Sequence, residues 1–403
     1  MPAKTVDATK IRAQNTGLVL DLVWQERSIS RAEVARRTGF AKAALAEIVG
    51  DLVATDLVHE SDKPGGLLSF RDDAFVIIGV ELACDWIHVV ATDLRGCVRS
   101  SRHKTHRVID DAPSALRLLQ KLIDSVIQEL RVPTTRILGI GVGVPAPIDL
   151  SEPDKWHPKC MPDWQGVSII EKLHEIYPCP IYIENDANVG AIAERWWGAG
   201  VGGEDLAFIQ IATGVGAGLI LAGSLYRGVG GAAGEIGHTA VDPRGPRCLC
   251  GQSGCLGAMI GSGTLLARSE QLLKEGRPSR LSRHGLSVRA IVDAAHVGDP
   301  IASQIVGEAG QSLGIAVASM LNLLNPAIVV LGGPLAIAGD LLLAPIRDCL
   351  RHRTLWKTVT ETKVVTSLLG DSVIALGAAT RVLEGVLADP MKLMTPRSRR
   401  RAS

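Results

Sequence analysis

The feature that most constrains the fold is a long alternation of strand-like and helix-like segments that begins at Phe75. Strand-like apolar runs occur at 75–81, 87–93, 137–144 and 181–184, and helical patterns at 112–130 and 167–176. In a second cycle, strand-like runs occur at 206–213, 218–221, 327–331 and 362–366, and helical patterns at 301–324, 340–351 and 374–388. Such alternation is typical of α/β proteins, in which helices cover mixed or parallel sheets. We therefore predict an α/β fold with two related halves.

The composition limits the possible classes of protein. At about 100–200 residues per domain, the 403 residues correspond to two to four domains. The chain is 46% hydrophobic, and its 43 Lys and Arg against 42 Asp and Glu give a net charge of +1. This balance excludes wholesale disorder and a protein that is basic overall and coats nucleic acid through its field. The start does not resemble a signal peptide, and the apolar stretches are too short or interrupted to span a membrane. We expect a soluble, cytoplasmic protein without membrane association.

The first 70 residues have a different pattern from the rest of the chain. Ser30 and Glu33 have the spacing of a capping box, which marks the start of a helix. Gly39 can end that helix and permit a sharp turn into a second helix at 41–53. Helix, glycine turn and helix at this spacing predict a helix-turn-helix, and segment 62–66 resembles the tip of a β-wing. An ordinary helical hairpin is the alternative.

Four potential metal ligands are close together in the sequence. His238, Cys248, Cys250 and Cys255 follow the pattern His-x9-Cys-x-Cys-x4-Cys. A Cys3His set can close a tetrahedral structural zinc site that has no open position, and the adjoining glycines let the backbone turn around the ion. The alternative is a group of unrelated buried thiols near a surface histidine. We predict one structural Zn²⁺ per chain.

These residues, together with 184–188, resemble the ROK family of repressors, open reading frames and kinases. Further family-like motifs are Pro145–Asp149, Thr213–Gly218, Leu331–Gly333 and Leu376–Ala379. Segments 12–15 and 30–39 resemble the repressor branch of the family. The resemblance covers essentially the whole chain. It implies an actin-like, ribonuclease-H-like, two-lobed sugar-kinase fold of the α/β class, preceded by an all-α, winged-helix N-terminal domain.

The resemblance also implies a division of the chain into domains. A winged helix-turn-helix would occupy residues 1–70. The first α/β lobe would comprise 71–197 together with a C-terminal helix at about 370–390. The second α/β lobe, at 198–369, would carry the zinc site, and 391–403 would form a disordered basic tail.

The family resemblance places a sugar pocket between the lobes. Asp186 stands where ROK kinases have the general base for a sugar hydroxyl, and Asn185 would bind the same edge of the ring. Glu235 would accept hydrogen bonds from the opposite side, and His238 would contact the sugar and ligate zinc. Gly257 stands where the family usually has an acidic sugar ligand two residues after the last zinc cysteine. This departure leaves the identity of the sugar open.

The first phosphate-binding hairpin also departs from the family pattern. ROK kinases have Asp-x-Gly-Gly-Thr-Lys there, whereas this chain has Glu81-Leu-Ala-Cys-Asp-Trp86. Asp85 would put a negative charge where phosphate binds, and two like charges 4 Å apart repel by about 4 kcal/mol at an effective dielectric of about 20. Ala212 replaces a glycine that usually precedes the second phosphate loop. We predict that nucleotide binding and kinase activity are lost, which leaves Asp186 as a sugar ligand and a relic of the catalytic base.

A DNA-binding role depends on a few basic residues around the helical turn. Residues 1–42 hold eight Lys and Arg against four acids, and residues 43–70 hold one Lys against five. Lys42 is the one evident donor on the alanine-rich reading helix at 41–53. We predict that Arg31, Arg36, Arg37 and Lys42 contact operator DNA. The alternative is that these charges form only a solvated helix face.

The sequence therefore predicts a sugar-responsive transcriptional repressor that binds operator DNA as a homodimer or homotetramer. Two other functions stay open at this point. One is an ATP-dependent sugar kinase of the ROK family with a winged-helix appendage. The other is a sugar sensor whose N-terminal helices bind a protein partner.

Overall fold

The computed structural model describes residues 8–62, 66–155, 159–282, 284–354 and 362–393. The predicted wing tip at 62–66 therefore falls largely outside the described residues, as do residues 394–403 of the predicted tail. Within the described ranges, no helix combines the length and apolar character needed to cross a bilayer.

The N-terminal module, residues 8–70, contains three helices and a small antiparallel sheet. Its elements are α1 (Ala8–Glu26), β1 (Ser28–Ser30), α2 (Arg31–Thr38), α3 (Lys42–Ala54), β2 (Val58–Glu60) and β3 (Leu67–Phe70), with strand order β1-β3-β2. The Ser30 hydroxyl accepts from the backbone N–H of Glu33 at 3.2 Å, and Gly39 has a φ of 72°. The cap by Ser30 and the glycine turn are therefore confirmed, whereas the Glu33 carboxylate accepts from Arg36 and Arg37 and does not complete the capping box. The sequence did not predict strand β1, because three residues are too few to show the apolar alternation of a strand.

The first lobe contains a five-stranded sheet. Its elements are β4 (Val76–Leu82), β5 (Trp86–Thr92), β6 (Val98–Thr105), α4 (Ala112–Leu130), β7 (Ile137–Val144), α5 (Ile169–His174), β8 (Ile181–Asn185) and α6 (Asp186–Trp197). Strands β4, β5 and β6 form an antiparallel meander, and β7 and β8 run parallel to β4, which gives the order β6-β5-β4-β7-β8. Short 3-10 helices occur at Thr134–Arg136 and Pro162–Trp164.

The second lobe repeats this sheet. Its strands are β9 (Leu206–Ile211), β10 (Val215–Leu221), β11 (Ser224–Leu225), β12 (Ile328–Gly332) and β13 (Lys363–Thr366), in the order β11-β10-β9-β12-β13. Its helices are α7 (Leu256–Ile260), α8 (Ser262–Lys274), α9 (Val288–His296), α10 (Pro300–Leu324) and α11 (Asp340–Arg353). Short 3-10 helices occur at Ile236–His238, Pro334–Ala338, Gly370–Ser372 and Pro390–Leu393. Two sheets of equivalent order confirm the two-lobed α/β class.

Two helices fill the space between the sheets. Helix α12 (Val373–Ala388) packs along α6 and on strands β4 and β7. The approach is close, because a Cβ at Gly377 would overlap the carbonyl oxygen of Val189 on α6. On its other side, α6 contacts the second sheet, where a Cβ at Gly218 of β10 would overlap the carbonyl oxygen of Ala187. Helix α6 is therefore held between the two lobes.

The N-terminal module and the first lobe share one hydrophobic core. Buried residues of α1, α3 and β3 cluster with Ile77 of β4, Leu138 of β7 and residues 379–387 of α12. Helix α1 lies so close to α12 that a Cβ at Gly17 would be 2.7 Å from the carbonyl oxygen of Leu387. The segment that joins β3 to β4 contains the buried Ala74 and Phe75. The module is therefore packed against the body of the protein.

Candidate functional site

The predicted sugar ligands of the first lobe lie where β8 ends and α6 begins. Asn185 is the N-cap of α6: its side-chain oxygen accepts from the Asn188 N–H at 3.1 Å, and its amide donates to the Ala146 carbonyl at 3.2 Å. Asp186 is the first residue of α6, and its Oδ1 accepts from the Ala187 N–H at 2.7 Å. Asn185 is thus largely committed to capping the helix.

Asp186 is half-buried. Burial, and secondarily the charge of Glu235, raise the pKa of Asp186 to about 7. Burial also raises the pKa of Glu235. Asp186 comes from the first lobe and Glu235 from the second, and the effect of the Glu235 charge on the pKa of Asp186 indicates that the two side chains are near each other.

His238 connects the cleft to the cysteine cluster. Its Nε2 lies 3.8 Å from Oε2 of Glu235, and its Nδ1 lies 3.5 Å from Sγ of Cys248. The loop that carries Glu235 needs glycine at Gly234, whose φ is 90° and whose Cβ would overlap the Ala217 carbonyl oxygen. The two ring nitrogens of His238 therefore face two different environments, as a residue shared by a sugar site and a metal site would require.

The four predicted metal ligands come together. One donor atom from each of His238, Cys248, Cys250 and Cys255 lies within 4.8 Å of the others. The Sγ atoms of Cys250 and Cys255 are 3.7 Å apart, and the Nδ1–Sγ distance from His238 to Cys248 is 3.5 Å. In a tetrahedron with Zn–S of about 2.3 Å and Zn–N of about 2.0 Å, the corresponding edges are about 3.8 Å and 3.5 Å. The donor set fits a closed four-coordinate zinc site.

The backbone around these cysteines turns at two glycines with positive φ. Gly251 has a φ of 96° and Gly254 a φ of 69°, and a Cβ at Gly254 would overlap the Asp242 carbonyl oxygen. The predicted role of these glycines in the turn is confirmed. Gly257, at the position of the missing family acid, lies in the short helix that follows Cys255.

The tips of the two predicted phosphate hairpins contact each other. Asp85 lies at the turn between β4 and β5, and Thr213 at the turn between β9 and β10. The Thr213 hydroxyl donates to Oδ2 of Asp85 at 3.2 Å. Burial raises the pKa of Glu81 to about 8, so this side chain is mostly neutral at pH 7. The first hairpin therefore offers phosphate no glycine amide.

A second contact between the lobes involves an ion pair that the sequence motifs did not reveal. Arg227, in the loop after β11, donates through Nε at 2.8 Å and Nη2 at 2.5 Å to Oε2 of Glu184. Glu184 is buried at the end of β8, and its Oε1 accepts from the Asn185 N–H and from the Asn188 side chain. Glu184 falls inside the 184–188 motif, but Arg227 belongs to no motif. The pair joins the first-lobe half of the cleft to the loop that leads to Glu235.

The predicted DNA contacts lie on the surface of the N-terminal module, but most of them pair with carboxylates. Arg31 binds Glu60 at 2.5 and 2.6 Å. Arg36 and Arg37 both bind Glu33, and Arg37 also binds Glu26. Lys42 is exposed at the start of α3 and has no ion-pair partner among the described residues.

Comparison with known proteins places the chain in a family. The model of the ROK family matches residues 77–384, and the chain belongs to this family. It is 29% identical over 395 residues to the xylose repressor of Caldicellulosiruptor bescii, which covers 95% of this chain and 98% of that protein. It is 30% identical over 391 residues to the DNA-binding transcriptional dual regulator NagC of Escherichia coli, with 94% of each chain covered.

Two solved structures extend the comparison. A ROK family transcriptional regulator, a homolog of the E. coli MLC protein, superposes with a TM-score of 0.82 at 26% identity and covers 96% of this chain and 98% of its own. A ROK family glucokinase from Streptomyces griseus, in complex with glucose and AMPPNP, has a TM-score of 0.67 at 26% identity. The glucokinase covers 76% of this chain and 98% of its own. The predicted family and the predicted fold are confirmed.

Proposed function

We propose that the chain is a sugar-responsive transcriptional repressor without kinase activity. It binds operator DNA through the N-terminal module and a sugar in the cleft between the lobes. The observation that carries this proposal is the extent of the matches. The xylose repressor and NagC align over 94–95% of the chain, including the helix-turn-helix, whereas the glucokinase covers 76%.

The geometry of the cleft supports the sugar site. Asp186 and Glu235 provide acceptors from the two lobes, and Nε2 of His238 lies beside Glu235. Convergent polar groups of this kind suit a ligand with several hydroxyls. A zinc ion held by His238, Cys248, Cys250 and Cys255 would fix the orientation of His238. The proposed role of Asp186 is to bind a sugar hydroxyl. It would not act as a catalytic base, because no phosphoryl donor would bind beside the sugar.

Two observations support the absence of phosphoryl transfer. Asp85 and Thr213 bridge the hairpin tips between which a nucleotide would have to place its phosphates. Glu81 replaces the family aspartate that helps to hold magnesium, and its raised pKa keeps it largely protonated. A coupled ATPase assay with glucose, N-acetylglucosamine and N-acetylmannosamine tests this point. Robust turnover with any of these sugars would establish the kinase alternative.

The DNA contact would depend most directly on Lys42. The guanidinium groups of Arg31, Arg36 and Arg37 already have carboxylate partners, so phosphates must compete with Glu60, Glu33 and Glu26 for them. Lys42 needs no such exchange. Each phosphate contact contributes about −0.9 to the slope of log K against log salt concentration. We expect Lys42→Ala to lower DNA affinity and to reduce the slope by about one contact, whereas Lys121→Ala, at an exposed position of α4, leaves both unchanged.

The test of the function is a fluorescence anisotropy titration with DNA from the promoter region of the protein's own gene. Specific binding that one sugar from a panel of hexoses, pentoses and amino sugars weakens would support the proposal. Affinity that no sugar changes would refute the inducer role. Absence of specific DNA binding would favour the sensor that acts through a protein partner. Light scattering after gel filtration tests the proposed homodimer or homotetramer, and a monomer at DNA-binding concentrations would contradict it.

A further inference from the structure

We propose that helix α6 carries the sugar signal to the N-terminal module through a contact between Trp196 and Trp197 at its end and Trp24 of helix α1. The inference rests on the proposed function, because it describes how sugar binding would change DNA binding. We call Trp24, Trp196 and Trp197 the tryptophan junction.

The first part of the route is the start of α6 in the cleft. Asp186 is its first residue, and Asn185 caps it. The second lobe presses on the same turn, because Gly218 of β10 packs directly on the carbonyl of Ala187. A sugar bound between Asp186 and Glu235 would change the closure of the lobes, and this closure acts on the first turn of α6.

The second part of the route is the rigidity of α6. All residues from Ala187 to Glu194 are buried between the two lobes. A helix of 12 residues is about 18 Å long and transmits a displacement at one end to the other. Packed helices of this kind shift as units, since their interfaces have discrete arrangements.

The third part is the tryptophan junction at the far end. The ring centroids of Trp24 and Trp196 are 5.2 Å apart at an interplanar angle of 68°, and those of Trp24 and Trp197 are 6.2 Å apart at 67°. Both angles describe edge-to-face contacts, which depend on orientation as well as distance. The indole N–H groups of Trp196 and Trp197 donate to Glu384 and Thr380 of α12, at 3.0 and 2.8 Å. The two rings are therefore fixed to the body of the protein and present their edges and faces to α1.

The fourth part is Arg95, which connects the junction to strand β3 of the N-terminal module. Its guanidinium lies 4.5 Å from the ring centroid of Trp24 and 5.5 Å from that of Phe70 in β3. It also donates to the Trp24 carbonyl at 2.7 Å and to Asp72 at 2.7 Å. Its buried Nη2 has no hydrogen-bond acceptor among the described residues.

The competing route is the direct packing of α1 on α12 at Gly17, which involves none of the three indoles. The two routes differ in what happens when Trp24 becomes phenylalanine. Trp24→Phe keeps an aromatic ring in α1 but removes the larger indole and its hydrogen bond to the Leu94 carbonyl at 3.3 Å. It leaves the sugar ligands, Gly17 and Lys42 in place.

The experiment measures DNA affinity of the full chain with and without D-xylose, D-glucose and N-acetyl-D-glucosamine. For Trp24→Phe we expect the DNA affinity of the sugar-free protein to stay within threefold of the parent value. We expect the same for its affinity for the active sugar. We expect the sugar-induced loss of DNA affinity to shrink at least fivefold. Trp196→Phe, which changes the junction from the α6 side, should act in the same direction. Trp164→Phe is the matched control, since Trp164 is buried in the first lobe, donates to Val108 at 2.8 Å and lies outside the junction.

The outcomes separate this inference from the proposed function. If the parent responds to a sugar and both junction variants respond equally, the route through the junction is wrong and the function stands. If Trp164→Phe loses the response as fully as Trp24→Phe, the effect is general destabilisation and the route is also wrong. If the parent binds no operator or responds to no sugar, the proposed function fails, and the route fails with it.

Discussion

Removal of the Arg227 guanidinium should destabilise the protein far more than removal of an exposed ion pair. Only 7% of the Glu184 side chain and 26% of the Arg227 side chain is exposed, and both donating nitrogens bind the same carboxylate oxygen. In Arg227→Gln, Glu184 would stay buried without its cation. Breaking a buried pair from one side costs roughly 3–5 kcal/mol, because an uncompensated charge is left in a low-dielectric site.

The assay is urea denaturation followed by circular dichroism, which gives the free energy of unfolding. Arg289→Gln is the matched control, since Arg289 and Asp293 form an exposed pair at 3.2 Å with side chains 63% and 62% accessible. Such pairs contribute about 0–1 kcal/mol. The double variant Glu184→Gln/Arg227→Gln should recover part of the loss, because it leaves no buried charge unpaired. A cost below 1 kcal/mol for Arg227→Gln, equal to that of the control, would refute the claim that this pair holds the lobes together.

Two further predictions concern the metal cluster and the first hairpin. Cys250→Ser should lower both zinc content and thermal stability. Cys97→Ser, at an exposed cysteine outside the cluster, should change neither. One zinc per chain retained in Cys250→Ser would exclude the proposed site. The pKa of Glu81 rises from 4.5 to about 8 on folding, so its stabilising contribution is complete below pH 4.5 and is lost as the pH rises towards 8. In the parent protein, the free energy of unfolding should therefore fall by at most about 1.4 kcal/mol per pH unit in that window, and Glu81→Gln should remove this fall. Parallel pH profiles of variant and parent would contradict this.

Many of the strands and helices could be predicted from the sequence, because buried elements have a strong pattern of apolar residues. The predicted strand at 137–144 and the predicted helix at 112–130 match β7 and α4 to the residue. Strand β6 is different: it lies at the edge of its sheet, and most of its side chains are polar and exposed. An edge strand of this kind lacks the apolar alternation that marks a strand in the sequence.

The clustering of His238, Cys248, Cys250 and Cys255 could be predicted because these residues are close in the chain and chemically distinctive. The pairing of Arg36 and Arg37 with Glu33 is also local, since the spacings of three and four residues bring these side chains together on one helix face. The contacts of Arg31 with Glu60 and of Arg227 with Glu184 join residues 29 and 43 positions apart. Charge counting alone cannot reveal such pairs, because they depend on how separate elements pack.

The shared core of the N-terminal module and the first lobe has a consequence for the choice of operator. A DNA-binding domain on a flexible linker can adjust to half-sites at several distances. Here the module is packed on α12 and joined to β4 through buried residues, so its position is set by the body of the protein. In a symmetric dimer, the distance and the rotation between the two reading helices would follow from the dimer interface. Insertion of a few base pairs between half-sites would then turn one of them away from its helix.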